Sequence, residues 1–230
     1  MGLLGTGAVA IWHDIVPEGR RAFYDWHGNE HMLERVGIPD FFRGRRYVAL
    51  RADLEFFNLY EAASLDTLKG PDYKARLNDP TPWTVETVKF FRRVNRSMCS
   101  VTRSAGPGGG GLIATLRYDG EDDSDDAVWR EVLEPLLTAD GIAAIHLLSA
   151  DKSASAVDNA ESKSRGVANA IPGRAILVEG WGDAAPFIAL AEEALAEERM
   201  RALGAGDPIA LGIYQHQLTI DELGRDGATD

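Results

Sequence analysis

Ser104-Ala-Gly-Pro-Gly-Gly-Gly-Gly111 decides how the rest of this 230-residue chain is read. Glycine favours no φ region and proline has no N–H to donate, so neither helix nor strand persists through such a stretch. It reads as a linker. A phosphate-cradling reading would need a helix after it, opened by Lys and Ser/Thr, but Leu112-Ile-Ala-Thr-Leu-Arg-Tyr118 follows and has the composition of a strand.

Working outward from the linker, the same succession of patterns occurs on both sides. Upstream, Gly7 to Val16 is β-like, and Pro17-Glu18 opens a helix that runs to about Val36, where Gly37-Ile38-Pro39-Asp40 ends it. Phe41 to Arg51 and Glu55 to Ala62 read as strands, Ser64 caps a helical stretch interrupted at Gly70-Pro71 and Pro80-Thr81-Pro82, a helix runs from Trp83 to Arg92, and Asn95 to Arg103 closes the set. Downstream come strand 111–118, helix 124–137, strand 143–150, a polar excursion over 153–169, strand 175–182, helix 184–203 and strand 208–220. Each side reads βαββαβ. The expected class is therefore α+β, with two ferredoxin-like repeats: residues 1–105, a linker over 106–111, a second repeat over 112–221, and a flexible tail over 222–230. A sheet with both helices on one face leaves its other face bare, so the two repeats are expected to pack sheet to sheet as a closed barrel with a cavity between the sheets.

Composition bounds the function. The formal net charge of -12 argues against a nucleic-acid binder. It is unevenly spread: residues 1–105 carry 15 Lys+Arg against 13 Asp+Glu, and residues 106–230 carry 9 against 23, so any anionic ligand would be held by the first half. One cysteine, Cys99, allows no internal disulfide, and there is no Cys/His cluster of zinc-site spacing. No apolar run approaches membrane-spanning length and no signal-peptide pattern precedes the first strand, so a cytoplasmic location without membrane association is expected.

The helix text Phe23-Tyr-Asp-Trp-His-Gly-Asn-Glu-His-Met-Leu-Glu-Arg-Val-Gly-Ile-Pro39, followed by Phe41-Phe-Arg-Gly-Arg-Arg-Tyr47, together with the element order, resembles the dimeric α/β-barrel superfamily. That group includes EthD-like proteins, antibiotic-biosynthesis monooxygenases, muconolactone isomerase and stress-responsive A/B-barrel proteins. The resemblance covers the first half well and the second as a pattern only. It implies an intramolecular version of a barrel that two chains usually build, a small-molecule pocket on the sheet face of each repeat, often a His on or near the first helix, and often no cofactor. Haem-using members also exist.

Several residues are candidates for chemistry. His27 and His31 lie one helical turn apart and suit acid/base work near neutral pH, substrate hydrogen bonding or, with Glu34 as a third ligand, a divalent metal. A structural pair at the helix–sheet junction is the competing reading. Arg43, Arg45 and Tyr47 share one strand face, and guanidinium forks there could hold a carboxylate or enolate oxygen, or pair with Glu30, Glu34 or Glu55. Trp12, Trp26, Tyr60 and Trp83 are candidates for the same pocket, Trp83 as a lid or a plug on a turn fixed by two prolines. His146 and His216 read as hydrogen-bonded core residues, and the excursion through Arg165 as a surface feature or a flap. The functional expectation is a small-molecule enzyme, cofactor-independent, moving protons on a partly apolar oxygenated substrate in a lyase, isomerase or monooxygenase reaction. A non-catalytic binding or stress-response protein and a haem- or metal-dependent enzyme are the alternatives. A homodimer of the two-repeat chain is compatible with all three.

Overall fold

The computed structural model describes residues 2–120 and 124–222; of the expected tail over 222–230, all but Glu222 lies outside the described residues. The first repeat runs β1 (Gly7–Ile15), α1 (Arg20–Trp26), α2 (Met32–Val36), β2 (Phe41–Arg51), β3 (Phe56–Ala62), α3 (Leu65–Lys69), α4 (Pro71–Asn78), α5 (Pro82–Thr87) and β4 (Phe91–Ala105). The second runs β5 (Leu112–Asp119), α6 (Ser124–Val128), α7 (Glu134–Leu136), β6 (Ile142–Ala150), α8 (Lys152–Ser155), α9 (Ala160–Arg165), β7 (Asn169–Ala170), β8 (Arg174–Gly180), α10 (Ala184–Ala194), α11 (Glu197–Ala202) and β9 (Gly206–Asp221).

Within the first repeat the strands lie in the order β4-β1-β3-β2, and within the second β9-β5-β8-β6, the same arrangement twice. Antiparallel seams β2–β9 and β4–β6 join the sheets, so eight strands close on themselves and no barrel edge is left unpaired. Period-two alternation then sends one face of every strand inward and the other outward, under the helices.

The interior is packed where a cavity between the sheets was expected. Trp12 stacks on Phe57 at 5.0 Å between ring centroids, Tyr47 on the same ring at 5.6 Å, and Tyr214 closes at 5.9 Å. Beside these rings runs a buried ionic chain contributed by both repeats. Arg43 donates twice to Glu61 at 2.9 Å, Arg45 forks onto Glu179 at 2.7 and 3.0 Å, and Arg45 Nε lies 3.0 Å from Glu61, an ionic contact with poor hydrogen-bond alignment. His146 continues the chain, 3.2 Å from Glu179 and 2.8 Å from Ser104. Burial alone would raise the Glu179 carboxyl, but the hydrogen bond from His146 and the charge of Arg45 outweigh it and hold its pKa down at about 2.

Element bounds differ from expectation where tertiary pairing takes over. β4 begins at Phe91 because that residue pairs with Ile15 of β1, four residues ahead of the expected start. The expected helix 184–203 is two helices, and the polar excursion folds into α8 and α9. The first helix carries a π-turn, His27–His31, in which Met32 N–H reaches back five residues to the His27 carbonyl. The second repeat has a π-turn at the matching place, Trp129–Leu133, closed by Glu134 N–H onto Trp129.

Candidate functional site

Between the first repeat's helices and the outer face of its sheet lies a cavity of about 30 Å³. Its lining mixes apolar side chains, Ile11, Trp26, Val88 and Phe91, with polar ones from the first helix (His27, His31, Arg35), the sheet (Asn58, Tyr60, Arg96), α4 (Tyr73) and α9 (Glu161, Arg165). The π-turn brings two of these groups together. His27 and His31 are both buried, with rings stacked at 5.6 Å, and Trp26 lies 4.3 Å from the His31 ring while its Nε1–H donates to Thr84 at 3.0 Å. Gly44, opposite Tyr60 across the β2–β3 ladder, leaves room for that ring: a Cβ there would sit 3.0 Å from Tyr60 and 3.1 Å from the Met32 methyl.

Hydrogen-bond logic assigns the protons. Arginine only donates, so Arg46 Nη1, 3.4 Å from His27 Nδ1, makes that nitrogen an acceptor and leaves the proton on Nε2, which donates to the Tyr60 hydroxyl at 3.1 Å. The Tyr60 O–H is then free to donate onward. By the same reasoning Arg35 Nε donates to His31 Nε2 at 3.4 Å, and the His31 proton sits on Nδ1. Further along the sheet, Asn58 Nδ2 donates to His13 Nε2 at 2.9 Å, while His13 Nδ1 lies 3.4 Å from the Asp14 carbonyl. This fixes the Asn58 amide and leaves its Oδ1 as an open acceptor.

Four buried polar atoms of the cavity walls have no partner among the described residues: His31 Nδ1, Arg35 Nη1, Asn58 Oδ1 and Arg165 Nε. Each such group carries a desolvation cost of about 1–3 kcal/mol. All four belong to residues that line this one cavity. Burial lowers His27 and His31 well below the ordinary imidazole range, and the positive charges nearby, Arg46 and Arg35, push the same way. Burial takes His13 down to about 3. All three imidazoles are therefore neutral near pH 7. Burial likewise raises the Tyr60 phenol, which stays protonated.

The candidate residues divide between two compartments. His27, His31, Trp26 and Tyr60 line the helix–sheet cavity, whereas Trp12, Arg43, Arg45 and Tyr47 point into the barrel, Trp12 with its Nε1–H on Thr115 at 2.9 Å. A single pocket holding both sets does not form, because odd and even positions of a strand open onto opposite faces of the sheet. Trp83 stands at the surface, 41% exposed, and its neighbour Thr84 makes the contact with Trp26. Glu34 is held by Arg76 at 3.1 Å. Both ring nitrogens of His27 are engaged, His31 turns a protonated nitrogen to the cavity, and the charges of Arg35, Arg96 and Arg165 disfavour a cation, so this donor set does not fit a divalent metal or a haem iron.

Arg35, Arg46, Asn58, Glu161 and Arg165 belong to the site and were not among the sequence candidates. Arg46 could have been found, since it takes the face opposite Arg45 and hence the helix side. Glu161 and Arg165 carry no such signal. They sit on α9, an excursion of the second repeat that crosses onto the first, where Arg35 pairs with Glu161.

No protein-family model matches the chain, and no curated protein does. Among solved structures, an anthrone oxidase-like protein superposes with a TM-score of 0.61 at 13% identity, covering 97% of this chain and 95% of that one. A candidate monooxygenase from Fusobacterium nucleatum gives 0.54 at 10% identity, with 96% of each chain covered. Another from Lactobacillus acidophilus gives 0.54 at 10% identity, covering 94% and 97%. The chain thus has the dimeric α/β-barrel fold with both ferredoxin-like halves in one polypeptide. Among the described residues no helix is long and apolar enough to cross a membrane.

Proposed function

We propose that this protein is a small-molecule enzyme that binds an oxygenated, partly apolar substrate in the helix–sheet cavity of its first repeat and stabilises negative charge on a substrate oxygen. The observation that carries this reading is the pair of neutral histidines with fixed protons, which leaves the His31 Nδ1–H and the Tyr60 O–H as donors among the walls of one cavity. Donors already oriented in a water-poor site stabilise an enolate or phenolate far better than the same groups in water. His27 acts through Tyr60: it holds the hydroxyl by donating to its oxygen, and can pass a proton to it.

Such a site supports proton abstraction beside a carbonyl, with Glu161 as the carboxylate of the cavity wall that takes the proton, and the resulting carbanion can react onward by isomerisation, elimination or direct reaction with oxygen without a bound cofactor. The relation of fold to an anthrone oxidase-like protein makes anthrone a sensible first substrate. Its oxidation by oxygen to anthraquinone and water is followed by oxygen uptake and quinone absorbance.

The charge-stabilising step is tested apart from turnover with 4-nitrophenol, whose phenolate absorbs in the visible. Bound to the wild-type protein, its apparent pKa is expected to fall by about one unit, and His31→Phe or Tyr60→Phe should each remove most of the fall. A bound nitrophenol that titrates as it does in water overturns the reading.

A further inference from the structure

The cavity walls are unbalanced in charge. Three guanidinium groups, Arg35, Arg96 and Arg165, meet one carboxylate, Glu161, and the neutral histidines add nothing of either sign. Glu161 is engaged by Arg35 Nη2, and Arg96 Nη2 is occupied by the Tyr73 hydroxyl at 2.9 Å. Arg35 Nη1 and Arg165 Nε remain buried and unpartnered, although the Arg35 side chain is only 4% exposed. Removing charged donors from water without an acceptor is costly, and guanidinium forks match planar oxyanions. Around them, Trp26, Tyr73 and Phe91 supply flat apolar walls, and Asn58 Oδ1 offers an acceptor for a hydroxyl.

We infer that the substrate carries a carboxylate on an aromatic or similarly flat body, and that Arg35 and Arg165 bind it, the latter brought to the site by α9 of the second repeat. The inference rests on the proposed function in that it uses the same cavity, but it concerns a different end of the guest: His31 and Tyr60 face the oxygen that gains charge, and the arginines face one that is already charged. At about 30 Å³ the closed cavity holds little more than a water molecule. Next to it lies a hollow of about 300 Å³ that shares Arg96, Glu161 and Arg165 with it. The side chains of α9 are therefore the partition, and their displacement by an incoming carboxylate joins the two spaces. α9 is closed at both ends by its own caps, a capping box at Asn159 and Ser162 and Gly166 at φ 70°, so it can shift as a unit without unwinding. Competition for Arg35 between Glu161 and the guest carboxylate supplies the coupling.

The test compares 4-hydroxybenzoate with 4-hydroxybenzamide, alike in shape and different in charge, by calorimetry or tryptophan fluorescence on the full chain. The acid is expected to bind at least about tenfold tighter, with an advantage that shrinks in high salt. Arg165→Gln should cut the advantage to about twofold or less, and Glu161→Gln, which removes the competing carboxylate, should tighten the acid severalfold while leaving the amide within about twofold. Equal affinity for acid and amide, no measurable binding of either, or an advantage untouched by both substitutions overturns the inference. If nitrophenol is ionised on binding but acid and amide bind alike, the oxyanion reading stands and the carboxylate inference falls; the opposite pair of results does the reverse.

Discussion

The two repeats use the same backbone device and fill it with opposite chemistry. Each first helix contains a π-turn, and in the first repeat its ends are His27 and His31, whereas in the second they are Trp129 and Leu133. Beneath the second turn, Leu116, Leu133, Ile145 and Phe187 belong to one continuous apolar cluster between helices and sheet. Beneath the first, the apolar residues divide into two smaller clusters, and the polar cavity opens among them. The fold thus provides two equivalent helix–sheet spaces, and side chains decide which is a continuous apolar core and which keeps a polar cavity. The acidic half contributes to the site all the same, through the crossing excursion that carries Glu161 and Arg165.

That comparison can be broken most severely at the barrel the repeats share. Glu179 of the second repeat compensates Arg45 of the first in full burial, so Glu179→Gln is expected to cost about 3–5 kcal/mol, read as a shift in the urea midpoint. The wild-type chain should unfold in a single transition; two separate transitions would mean the repeats are independent bodies.

Next in size, Leu133→Ala should cost about 2–5 kcal/mol, because it opens a hole in the tightly packed second space. A loss under about 1 kcal/mol would mean that this space is looser than its packing implies.

The first space should announce itself through pH. His13, His27 and His31 have folded-state pKa values below their unfolded ones, so between the ordinary value near 6.5 and the His13 value of about 3 the unfolded chain binds more protons. Their contribution to stability is complete above pH 6.5 and is lost as pH falls, by up to about 1.4 kcal/mol per pH unit for each neutral histidine. Thermal midpoints recorded from pH 7 to pH 5 should fall, and His13→Phe should flatten the fall. A midpoint independent of pH in this window would refute the assignment of buried neutral imidazoles.

The smallest effect on stability is expected from giving the first repeat the second repeat's residue. His31→Leu exchanges a buried polar ring for an apolar side chain but leaves Arg35 Nε without its acceptor, so it should cost about 1–3 kcal/mol, measured by chemical denaturation, while removing the nitrophenol response. Loss of stability well beyond that would make His31 a structural residue first.

Much of this architecture was legible in the chain. The Gly-rich break at 106–111, the helix opened at Pro17 and the strand Phe41–Arg51 follow from local rules on φ, missing donors and period-two patterning, and a repeated βαββαβ order left one economical way to cover two bare sheet faces. The helix bearing His27 and His31 was legible for the same reason: neighbours one turn apart share a face whatever surrounds the helix. Local rules could not say which compartment a strand residue enters, so Arg45 and Tyr60 looked like companions and stand on opposite sides of the sheet. Nor could they show that residues 160–165 of one repeat would close over the other, since a long-range crossing leaves no periodic trace. Sequence alone determined the elements and the histidine pair; tertiary structure decided that the barrel interior is a packed ionic core and that the histidine-lined cavity lies outside it, because only closure of the sheet assigns an inside and an outside to each strand face.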